Sequence, residues 1–113
     1  MEGVMSNLFV LPLPDNADLL VCEGGVWRVV HGFGGETYAD DMYARVLARE
    51  GLLASHDRAT RLLEEARASG DERLRLVGVS LARQYYERRA FVESHLGAVC
   101  PPTLAPLDLS GRR

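Results

Sequence analysis

His31-Gly32-Phe33-Gly34-Gly35-Glu36 is the point at which this 113-residue chain changes its hydrophobic rhythm. Upstream, apolar residues come in short runs: Leu8-Phe9-Val10-Leu11, then Leu19-Leu20-Val21-Cys22, then Val26-Trp27-Arg28-Val29-Val30. Pro12, Pro14, Asp15-Asn16-Ala17 and Gly24-Gly25 separate them, which is the punctuation of strands and tight turns. Downstream, apolar residues recur every three or four positions as far as Leu96, the period of a helix. The expected fold is α+β: an N-terminal three-stranded antiparallel meander over about 8–31, packed against three helices over about 37–97. An extended Pro-rich tail over 98–113 follows the domain of residues 1–97.

Gly24-Gly25 is a two-residue hairpin loop, because both positions can take positive φ. It sets Glu23 opposite Val26, Cys22 opposite Trp27, Leu20 opposite Val29 and Asp18 opposite His31. Thr37 is the expected cap of helix one, with Glu36, Asp40 and Asp41 adding negative charge at the positive end of the helix dipole. Tyr38, Met42, Val46 and Leu53 mark its expected buried stripe, and Gly51 loosens its end. Helix two is expected over 57–68, stopping at Ser69-Gly70. Asp71 then caps a long third helix that Gly97 closes.

Helix three carries two apolar stripes: Leu74, Val77, Leu81, Tyr85, Val92 and Leu96 on one side, Leu76, Val79, Tyr86 and Ala90 on another. Gly78 and Ala82 allow close backbone approach on the first. After Gly97, Pro101, Pro102 and Pro106 forbid helix and favour an extended path. Leu104, Leu107 and Leu109 are apolar decoration that a free tail does not need.

The apolar fraction of 47% against 26% charged is a globular balance. All thirteen basic residues are Arg, and Lys and Ile are both missing. Both absent residues have AT-rich codons, so the composition points to a GC-rich genome, bacterial or phage. The net charge of −3 hides an asymmetry: residues 1–57 hold nine acids and three Arg, for −6, and residues 58–113 hold seven acids and ten Arg, for +3. Opposed halves favour head-to-tail attraction or a charged partner. No signal peptide or membrane span is read, so a cytoplasmic location is expected.

The chemistry-bearing motifs are sparse. Cys22 and Cys100 have no ligand or disulfide spacing, and the three His are scattered, so neither metal nor cofactor is expected. The Gly32 to Gly35 turn matches no phosphate-binding pattern, and the acids that follow it repel anions. The hairpin register separates Cys22 from His31 by about 13 Å at roughly 3.4 Å per residue, which excludes a nucleophile-base pair between them. Asp18 and His31 form a cross-strand pair that could serve a small hydrolase or transferase. Arg83, Arg88 and Arg89 beside Tyr85 and Tyr86 give a weak nucleic-acid signature that Glu87, Glu93 and the negative net charge oppose.

The expected function is therefore non-enzymatic protein binding, by a phage or bacterial assembly subunit or adaptor that self-associates or meets a protein partner. The expected interface is Leu76, Val79, Arg83, Tyr86 and Arg89 of helix three with Leu104, Leu107 and Leu109 of the tail. An inhibitor of a host or toxin protein and a small nucleic-acid-associated regulator are the alternatives.

Overall fold

Each of the three apolar runs is a strand in the computed structural model, which describes residues 8–109. They are β1 (Leu8–Pro12), β2 (Leu19–Glu23) and β3 (Val26–Val30). The register around Gly24-Gly25 is the expected one, with Glu23 opposite Val26, Cys22 opposite Trp27 and Leu20 opposite Val29. Residues 1–7 of the expected domain and 110–113 of the expected tail lie outside the described residues.

A fourth strand, β4 (Glu36–Ala39), corrects the three-stranded expectation. It pairs antiparallel with β3, Trp27 opposite Ala39 and Val29 opposite Thr37, so the sheet order is β1-β2-β3-β4. Gly34 and Gly35, at φ 108° and 91°, turn the chain back as a hairpin where the sequence suggested a strand-to-helix hinge. Thr37 is thereby a strand residue. The helix cap is Asp40, whose Oδ1 accepts from the Tyr43 amide at 2.8 Å.

Two helices, not three, follow: α1 (Asp41–Ser69) and α2 (Glu72–Leu96). The expected break between helices one and two does not occur, because nothing in 51–57 stops a helix. Ala44, Ala48, Leu52, His56, Ala59, Leu63 and Ala66 run as one uninterrupted buried stripe past Gly51. Gly51 is there for closeness: a Cβ would stand 2.8 Å from Leu11 Cδ2 and 3.0 Å from the Pro12 carbonyl oxygen. The α2 boundaries agree with the sequence, Asp71 accepting from the Arg73 and Leu74 amides and Gly97 ending the helix.

One sheet face, made of Phe9, Leu11, Leu20, Cys22, Trp27, Val29 and Ala39, packs on Ala44, Ala48 and Leu52 of α1 and on Tyr85, Val92 and Leu96 of α2. A second cluster of Ala59, Leu63, Val79 and Ala82 joins the helices where they outreach the sheet. There Gly78 faces Leu63, a Cβ falling 2.9 Å from Leu63 Cδ2. Of the stripe expected to be buried on helix one, Met42 and Val46 point outward, exposed by 77% and 51%, Tyr38 stands on β4 and is exposed by 71%, and Leu53 is half-buried. No helix among the described residues is long and apolar enough to cross a membrane.

Gly51→Val should destabilise the fold by about 1–3 kcal/mol, overpacking at Leu11 and Pro12 outweighing the better helix propensity of the new side chain. Urea unfolding of both proteins measures the difference. An unchanged midpoint would mean that the α1 to β1 approach can relax freely.

Candidate functional site

The tail returns to its own helices. Cys100 is buried in the main core, and Val99, Leu104 and Leu107 pack against it. Four polar side chains fasten this strap. Arg45 of α1 donates to the carbonyls of Leu96 and Ala98. His56, on the buried stripe of α1, lies with Nε2 2.6 Å from the Ala105 carbonyl oxygen. A carbonyl only accepts, so Nε2 carries the proton. The Leu107 amide donates to the Tyr86 hydroxyl at 2.8 Å. Tyr85 Oη lies 4.0 Å from Cys100 Sγ and accepts from Arg89 at 3.2 Å.

This docking sorts the eight residues of the expected interface. Leu104, Leu107 and Tyr86 belong to the strap, Val79 is buried between the helices, and Arg89 is held by Glu93 at 2.9 Å as well as by Tyr85. Leu76, Arg83 and Leu109 remain outside. The strap carries Leu109 to the first half of α2, where it lines an open groove of about 570 Å³ with Glu72, Arg75, Leu76, Val79, Ser80 and Arg83. Arg75 is paired with Glu72, so Arg83 is the cation that the groove presents. Half of the expected interface is thus assembled in one place.

A second constellation closes the β3–β4 hairpin. His31 Nδ1 lies 3.4 Å from Asp18 Oδ2, and His31 Nε2 lies 2.7 Å from Thr37 Oγ1. The other Asp18 oxygen accepts from the Gly32 amide at 3.0 Å, and Phe33 stacks on the imidazole at 4.9 Å. By connectivity this is a carboxylate, a base and a hydroxyl. Thr37 and the turn 32–36 stand exposed, and these contacts tie the β3–β4 turn to Asp18 beside β2. Thr37 was hidden from sequence reasoning because it was assigned to a helix cap.

A third feature is the outward start of α1. Met42, Tyr43 and Val46 are exposed there beside the carboxylates of Asp40 and Asp41. The helical spacing of Met42 and Val46 is visible in the sequence, but not the side on which they lie, and Tyr43 is not among the residues that the spacing singles out. Among the described residues, no group of His, Cys, Asp and Glu is arranged to hold a metal ion.

Tyr86→Phe removes the acceptor for the Leu107 amide. It should cost about 1 kcal/mol and release that amide to hydrogen exchange while leaving the β2–β3 amides protected. Burial, helped by the neighbouring Cys100, pushes the Tyr85 phenol from 10.0 up to about 12 against the opposing pull of Arg89. The folded chain therefore keeps this proton at a pH where the unfolded chain has lost it. The stabilisation is complete below pH 10 and is lost as pH rises toward 12, by roughly 2–3 kcal/mol. Tyr85→Phe should lose that part of the alkaline slope in urea midpoints measured from pH 9 to 12. The Cys22 thiol, also pushed up by burial, contributes a further slope of the same sign.

No protein-family model matches the chain, and no curated protein or solved structure shows significant similarity to it.

Proposed function

We propose that this chain is a small non-enzymatic protein-binding protein, a bacterial or phage assembly subunit or adaptor whose binding partner at the α2 groove is a second copy of itself. The observation that carries this reading is the groove itself, in which the docked tail brings Leu109 alongside Leu76, Val79 and Arg83. An apolar floor with Arg83, which has no ion-pair partner among the described residues, at its edge suits an apolar, acidic protrusion, since aromatic residues and Arg are enriched at interface hot spots.

The chain carries such a protrusion at the start of α1, whereas the groove lies along the first half of α2. Met42, Tyr43 and Val46 stand out from α1 next to Asp40 and Asp41, in the half of the chain whose charge is −6, while the groove belongs to the half whose charge is +3. Two different patches that fit each other give a heterologous, head-to-tail contact, which builds rings or filaments. The Arg-only, GC-rich composition supports a bacterial or phage source.

Light scattering should show a mass that grows with concentration. Leu76→Asp and Met42→Asp each place a charge in the contact and should weaken association roughly 100-fold, because desolvating an unpaired charge costs several kcal/mol. Both positions are exposed, so both variants should fold. Mixed together, the two variants retain one intact groove and one intact protrusion, and a 1:1 dimer should appear. Failure of the mixture to dimerise would exclude the head-to-tail geometry. A wild-type chain that stays monomeric at high concentration would exclude self-association and turn the reading to an inhibitor of another protein.

A further inference from the structure

The last turns of α2 and the β2–β3 hairpin leave a cleft of about 460 Å³, within the range of small-molecule sites. Its walls are flat. Phe9 and Phe91 stack with centroids 4.2 Å apart and planes 5° from parallel, and His95 continues the ladder on Phe91 at 4.2 Å and 22°. Trp27 packs edge-on against two of these rings, its centroid 6.2 Å from those of both Phe91 and His95. The Cys22 thiol also lines the cleft.

Leu8 stands at the rim, and the β2–β3 loop adds little side chain there. Gly24 and Gly25, at φ 60° and 80°, bring bare backbone to the opening, and a Cβ on either would meet no atom within 4 Å. No Asp, Glu or Arg lines the cleft, so it offers nothing to a charged ligand. Its one strong polar group is His95. The Nδ1 atom lies 3.0 Å from the Phe91 carbonyl oxygen, an obligate acceptor, so Nδ1 carries the ring proton. In the neutral imidazole Nε2 is then a bare acceptor, and it has no hydrogen-bond partner among the described residues.

We infer that this cleft binds a small, neutral, planar aromatic molecule bearing an N–H or O–H donor, which enters parallel to the Phe9, Phe91 and His95 rings and donates to His95 Nε2. The geometry is consistent, because a ring parallel to the ladder can place its donor in the plane of the imidazole. The buried Cys22 thiol stays protonated, burial holding it above its ordinary range, so binding is non-covalent.

The probes are indole and 1-methylindole, nearly identical in shape and differing in the donor. In an amide and imidazole NMR titration of the full chain, indole should give saturable shifts at Gly24, Gly25, Phe91 and His95 and move the Nε2 resonance. The 1-methylindole affinity should be about three- to tenfold lower, the net worth of one hydrogen bond. His95→Phe, which keeps a stacking ring at this exposed position and removes the Nε2 acceptor, should weaken indole by about the same factor and change 1-methylindole much less. Equal affinities for the two probes, an indole affinity unchanged in His95→Phe, or indole shifts scattered over the surface would each overturn the assignment. Shifts at Gly24 and Gly25 that grow with protein concentration alone would overturn it too, by showing that a second copy fills the cleft.

Discussion

Two glycines set the spacing on which the rest of the fold depends. At Gly51 the α1 backbone comes against Leu11 and the Pro12 carbonyl, and at Gly78 the α2 backbone comes against Leu63 of α1. The first contact fixes how near the helical layer lies to the sheet, the second how near the helices lie to each other. With both distances short, the residues between them must be small, and Ala44, Ala48, Ala59 and Ala82 are all fully buried. Bulk is supplied by a few large side chains, Tyr85, Leu11, Leu20, Leu52 and Val92. Close packing of this kind tolerates little added volume, which is why a methyl group at either glycine is felt by backbone as well as side chains.

The same closeness explains the strap. Helices that outreach the sheet leave a second cluster of Ala59, Leu63, Val79 and Ala82, too small to be covered by the sheet, and Leu107 of the tail packs against it as well as against the main core. The strap spans both clusters and ties them together. Pro101, Pro102 and Pro106 keep it out of a helix, and the expected extended path is broken by a turn in which the Leu104 amide donates to the Pro101 carbonyl at 3.2 Å. The Ala98 and Ala105 carbonyls and the Leu107 amide are satisfied from the helices, by Arg45, His56 and Tyr86. A buried His on an otherwise apolar stripe is expensive without a partner, and the Ala105 carbonyl is that partner.

Local signals were legible in the sequence and long-range ones were not. The Gly24-Gly25 register, the Asp71 cap and the Gly97 stop are each decided within a few residues, and the structure agrees with them. Gly51 misled because a helix breaker and a close-packing residue look identical until the neighbour is known. Thr37 misled because a hydroxyl followed by acids fits a cap, whereas four residues of pairing with β3 put it in a strand and gave its hydroxyl to His31. For the candidate interface, spacing alone placed Leu76, Val79 and Arg83 on one side of α2. That Leu109 joins them, while Leu104, Leu107 and Tyr86 pack elsewhere, depends on contacts spanning twenty residues or more.

The exposed apolar surface follows from the buried one. An amphipathic helix normally keeps its larger apolar residues inward, but over its first turns the inward phase of α1 is taken by Ala44 and Ala48, which leaves Met42, Tyr43 and Val46 exposed. On α2 the division is similar: Gly78 and Ala82 take the inner positions at the helix crossing, and Leu76 and Val77 are left exposed. A chain of this length buries a limited share of its surface, and here the share is limited further by packing backbones closely instead of interleaving large side chains. The apolar area displaced outward gathers into patches at opposite-sign halves of the chain. A fold held together by small residues inside thus has large ones available outside, and association with another surface is the way in which they too would leave water.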